Sequence, residues 1–192
     1  MITPIRTNAF LPLLVVAAFT FYGCQKGTVN PGGGGGGDLM IEYSWNGTTH
    51  SLDDPNGHFT LSTGSSPWNF FSGFMWDEGA FQVGFGSIED EVVTAAEFTA
   101  LFSPGNVNYQ QDLPIDMGVS IVYENSQENF WTSFCGAQTG STFVITSMES
   151  ISGPVQQVKV SGTFNATLYD CSGVQVPMTI TNGTFTLIFE NS

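Results

Sequence analysis

The chain reads as mostly β: a two-sheet sandwich or flattened barrel of about ten antiparallel strands with one short helix near residues 94–102. Three observations carry this. From Leu39 onward apolar residues recur with a period of two. Turn clusters rich in Gly, Asn, Asp and Pro punctuate that pattern. The composition has 17 Phe, 23 Gly and 10% charged residues, with Thr and Ser common and the usual helix formers scarce, which is unlike a helical bundle or an acidic disordered tail.

The elements follow in order. Ile41, Tyr43 and Trp45 alternate with Glu42 and Ser44, Asn46-Gly47 supplies a hairpin turn, and Thr48 to Leu52 return. Asp53-Asp54-Pro55-Asn56-Gly57 is a turn, and His58 to Thr63 form the next strand. Trp68 to Trp76 and then Phe81 to Phe85 continue the alternation, with Trp68, Phe70, Phe74 and Trp76 on one face. Thr94-Ala95-Ala96-Glu97 fits a capping box, and the helix it opens stops at Ser103-Pro104-Gly105. Asn106 to Pro114 has no clear period and reads as loop. Further strands are expected over Val119–Tyr123, Phe130–Phe134, Thr142–Ser147, Gln157–Asp170, Val174–Thr181 and Thr184–Glu190. Pro177 suggests that the strand from Val174 is an edge, because proline cannot donate to a ladder. Gly162-Thr163-Phe164 and Gly183-Thr184-Phe185 open alike, as does Gly140-Ser141-Thr142-Phe143, and in each the Phe leads an inward-facing set.

The β-rich domain therefore spans residues 39–192, and two segments of another character precede it. Residues 1–23 resemble a lipoprotein signal peptide: Arg6 supplies the positive charge, and Phe10 to Tyr22 form an apolar run too short for a comfortable membrane span. Phe21-Tyr22-Gly23-Cys24 resembles a lipobox, which makes Cys24 the expected lipidation site. Residues 24–38 form a tether in which Gly32 to Gly37 have no side chains to bury and much chain entropy to lose. No Asp follows Cys24, so the outer membrane is the expected location, periplasmic or surface-facing. Removal of Arg6 with the signal takes the net charge from −14 to −15, and Lys159 is then the one cation of the folded domain. Such a body offers no basic groove for nucleic acid.

A resemblance rests on particular stretches. Gly136-Ala137-Gln138 through Phe143-Val144-Ile145-Thr146-Ser147, Val158 through Asp170, and Thr181-Asn182-Gly183-Thr184-Phe185 resemble the end of many small Bacteroidota-type lipoproteins of uncharacterised function. The Trp45-Asn46-Gly47-Thr48 hairpin and the Cys-to-polyglycine tether are similar to that group as well. The resemblance implies a β-rich, envelope-anchored domain and transfers no activity and no catalytic residue.

With Cys24 lipidated, Cys135 and Cys171 remain as an even pair in an oxidising compartment, and a disulfide between them would close a loop of about 37 residues. His50 and His58 lie on or beside hairpin turns and read as surface strand residues. No Gly-x-Ser-x-Gly elbow and no zinc-ligand spacing occurs in the sequence. No catalytic residue and no cofactor is assigned. Trp76 beside Asp77-Glu78, and Trp131 with Glu124, are candidate ligand-binding groups, because an indole stacks on a sugar face while a carboxylate binds its hydroxyls. Asp53, Asp54, Glu89 and Asp90 are weak calcium candidates in acidic loops that lack a calcium-loop rhythm. The leading expectation is a lipid-anchored envelope protein with a non-enzymatic interaction or structural role. The alternatives are a carbohydrate-binding module using exposed Trp residues, and more remotely a glycoside hydrolase with paired carboxylates.

Overall fold

The computed structural model describes residues 39–53, 58–63, 69–76, 79–86, 94–110, 118–127 and 129–191. The signal segment, Cys24, the tether, Asp54, Trp68, Asp77, Glu78, Glu89, Asp90 and Glu91 lie outside the described residues.

The strands are β1 (Met40–Trp45), β2 (Thr48–Asp53), β3 (His58–Thr63), β4 (Asn69–Trp76), β5 (Gly79–Gly86), β6 (Gly105–Asn106), β7 (Gly118–Asn125), β8 (Phe130–Thr132), β9 (Thr142–Ile151), β10 (Gln156–Leu168) and β11 (Met178–Asn191). Among the described residues there is one α-helix, α1 (Ala95–Leu101), between β5 and β6. Six strands pair in the order β2-β1-β11-β10-β9-β6 and five in the order β3-β4-β5-β7-β8. All nine ladders are antiparallel. Neither sheet closes on itself, so the architecture is a sandwich.

The core lies between the sheets. Phe143, Ile145, Phe164, Leu168, Phe185 and Phe189 from one sheet meet Phe74, Phe81, Val83, Phe85 and Ile121 from the other, all buried. Helix α1 begins as the sequence indicates: the Thr94 side chain accepts from the Glu97 backbone, and the Glu97 carboxylate accepts from the Thr94 N–H at 2.8 Å. Phe98 and Phe102 are fully buried and touch both sheets, with ring centroids 4.8 Å from Phe70, 4.9 Å from Phe85 and 4.8 Å from Phe189. The helix therefore plugs the space between the layers.

The Gly-Thr-Phe similarity has a physical basis. Antiparallel pairing sets Gly162 opposite Phe185, Thr163 opposite Thr184, and Phe164 opposite Gly183. Each Phe ring lies over the other strand's glycine, where a Cβ would collide with it. The motif is complementary to itself across one ladder.

Three expectations are corrected. The two strands expected over Val174–Thr181 and Thr184–Glu190 are one strand, β11, with Val174 to Pro177 in the loop before it. Strand β11 pairs with β1 on one side and β10 on the other, so a proline inside it would break a ladder, and the strand starts immediately after Pro177. Asn46-Gly47 forms the expected hairpin turn with φ of 49° and 76°, whereas Asn182, at φ 52°, forms a bulge within β11. That bulge resets the alternation, so that Ile180 before it and Phe185 after it both face the core. Finally, the expected Asn106–Pro114 loop contains part of β6 and a buried Tyr109, whose hydroxyl donates to the Asn165 carbonyl at 2.9 Å. The strand expected to reach Phe134 ends at Thr132 and continues as a 3-10 turn over Ser133–Cys135.

Candidate functional site

At one end of the sandwich the inward-facing side chains become aromatic and half-buried. Strand β1 runs inward through Ile41 and Tyr43 and reaches Trp45 just before the hairpin turn. His50 returns on β2 opposite Tyr43 and stacks on it, with ring centroids 5.0 Å apart and planes 15° apart. From the facing sheet, β7 alternates inward through Val119 and Ile121 to Tyr123, and β8 sets Trp131 directly opposite Tyr123. Trp76 ends β4.

Tyr123 is the hub. Its ring centroid lies 5.7 Å from Trp131, 6.4 Å from Trp76 and 6.4 Å from Trp45. All three indoles are half-buried and pack against the core. Burial, and to a lesser degree the neighbouring Tyr123, hold the Tyr43 hydroxyl far above the usual phenol range. Burial also raises Tyr123. Both phenols stay neutral at physiological pH, which suits this end to apolar and hydrogen-bonding contacts.

The loop between β10 and β11 forms a rim beside Trp131, whose indole N–H donates to the Val176 carbonyl at 3.2 Å. Two constraints hold the loop. Cys171 is disulfide-bonded to Cys135, with Cα atoms 5.2 Å apart. The Asp170 carboxylate accepts from the backbone N–H groups of Ser172 at 2.9 Å, Val174 at 3.0 Å and Gln175 at 2.9 Å, and from the Ser172 hydroxyl at 2.6 Å. Those bonds, the Ser172 hydroxyl's foremost, lower the Asp170 pKa to about 2. The loop holds Val174 and Val176 in solvent, 78% and 82% exposed, the large hydrophobic side chains most open among the described residues.

The expected binding residues are thus partly brought together. Trp76 and Trp131 share one cluster, while Asp77 lies outside the described residues. The pairing of Glu124 with Trp131 does not form on one face: Trp131 opposes Tyr123 and Glu124 opposes Phe130, so the two project to opposite sides of the sheet. Among the described residues no group of three or more His, Cys, Asp or Glu gathers to hold a metal ion. Asp53 sits half-buried at the end of β2 opposite Met40, and the other calcium candidates lie outside the described residues.

Trp45, His50 and Tyr123 belong to the cluster without having been singled out for it. Their signal was available in the strand phase, since Trp45 continues the inward series of Ile41 and Tyr43. The convergence of two sheets on Tyr123 was not, because it depends on which strands face each other. No helix among the described residues is long and apolar enough to cross a membrane. Compared with known proteins, the chain matches no family model, no curated protein and no solved structure.

Proposed function

We propose that this chain is a lipid-anchored cell-envelope protein with a non-enzymatic binding role, and that its ligand at the aromatic end is a carbohydrate. One observation carries the ligand class: the half-buried indoles of Trp45, Trp76 and Trp131 gather around Tyr123 beside a constrained loop. An indole held by its neighbours offers an apolar face to the C–H side of a sugar ring at little entropic cost. The anchor is supported by the lipobox-like Phe21-Tyr22-Gly23-Cys24, the glycine tether and the resemblance to small Bacteroidota-type lipoproteins. A tether of that composition holds an acidic body away from an anionic bilayer surface.

Two arms test the proposal. Metabolic labelling with a fatty acid should mark the wild-type chain and leave Cys24→Ala unlabelled and soluble; label retained in Cys24→Ala would remove the anchor. A glycan array probed with the purified chain should return a set of related oligosaccharides. An array with no signal above background would remove the ligand class.

A further inference from the structure

We infer that the outer face of the six-stranded sheet holds a second binding site, a groove that takes one residue of a neutral sugar. The groove lies away from the aromatic side chains, on the opposite face of β10 and β11. Its volume of about 360 Å³ falls within the range of small-molecule sites. It is lined by Thr179, Thr181 and Asn182 of β11, Asn165 and Thr167 of β10, and the turn at Ser141.

The β11 bulge builds this surface. In a regular strand one of two successive residues would face the core. At the bulge Thr181 and Asn182 are both exposed, and Asn182 is held in the left-handed region at φ 52°. Asn165 secures the arrangement, its carbonyl oxygen accepting from the Asn182 N–H at 2.9 Å and its amide donating to the Thr142 hydroxyl at 3.1 Å. The hydroxyls of Thr167, Thr179 and Thr181 and the Asn182 side-chain amide make no hydrogen bond among the described residues. They remain available as paired donors and acceptors at the spacing of neighbouring strands, about 4.8 Å.

Charge decides the ligand class. Among the described residues no Asp, Glu, Lys or Arg lines the groove, so an ionised ligand would find no counter-charge from them. The acidic domain would also repel an anion. A ligand that both donates and accepts through several hydroxyls, with no formal charge, fits what remains.

The test is amide NMR of the full chain in a detergent without a sugar headgroup, titrated with glucose, N-acetylglucosamine and glucuronate to about 50 mM, a range that captures millimolar binding. Expected are saturable shifts from a neutral sugar at residues 139–141, 165–167 and 179–182. Thr181→Arg and Thr179→Arg should each weaken them at least tenfold, with the rest of the spectrum unchanged, while Trp131→Ala leaves them intact. Glucuronate should bind at least tenfold more weakly. Absent shifts, shifts that survive both arginine variants, or shifts confined to the surroundings of Tyr123 would overturn the groove, and the last of these would leave the aromatic site standing.

Discussion

Asp170 shows how much one side chain organises at this end of the molecule. Its carboxylate gathers three backbone N–H groups and a hydroxyl, and its pKa falls from the usual 3.8 to about 2. A depressed carboxylate contributes stability that is fully present above its unfolded pKa and is lost as pH falls through the folded one. Acid titration of stability should therefore steepen between about pH 4 and pH 2, and Asp170→Asn should flatten that limb, as followed by denaturant midpoints at each pH. An identical acid limb in the variant would show that the loop does not depend on this charge. The cysteine pair was legible from the even count left after Cys24. The role of Asp170 was not, because a carboxylate reaches N–H groups two, four and five residues on only in one loop conformation.

Among elements, the ladder between β10 and β11 shows where pattern suffices and where it stops. The inward phase of Phe164, Ala166 and Leu168, and of Phe185, Leu187 and Phe189, is plain in the sequence and holds in the structure. The Asn-Gly dipeptide is ambiguous: at Asn46 it turns a hairpin, and at Asn182 it bulges a strand that is paired on both sides. Tertiary context separates the two outcomes, since the strand after Asn182 continues along the same partners. Gly183 illustrates the constraint on that ladder. A methyl group there meets the Phe164 ring, so Gly183→Ala should cost about 1–3 kcal/mol in urea unfolding. The Cys135–Cys171 link joins residues 36 apart in sequence and ties the 3-10 turn after β8 to the loop after β10. Replacing both by Ser should lose about 3–4 kcal/mol in the chain-entropy model. A double-Ser variant with an unchanged midpoint would show that the antiparallel Thr132–Tyr169 bridge, with its two hydrogen bonds of 2.8 Å, holds that junction without help. Helix α1 was legible from Thr94 and Glu97, and so was a strand starting at Phe130; its end at Thr132 and the 3-10 turn after it were not, because Phe134 keeps the apolar alternation past the strand's end.

For the whole molecule, composition and alternation lead to a β-sandwich, and the sheet order required the structure. Strands adjacent in sequence mostly pair, but β1 joins β11, the last strand, and that long-range pairing has no local signature. The same step sets Trp45 of β1 within reach of Tyr123 of β7 and turns scattered tryptophans into one surface. Under the proposed anchoring at Cys24, the aromatic end is the contact surface that such a body would present. The most direct measurement is a tryptophan-fluorescence titration of the full chain with an oligosaccharide selected on the array, repeated for Trp76→Ala and Trp131→Ala variants shown by circular dichroism to be folded. The expected result is saturable quenching by the wild type and an affinity at least tenfold lower in each variant, roughly 1.4 kcal/mol or more. Folded variants that bind the sugar as tightly as the wild type would contradict the assignment of the aromatic end as the binding surface.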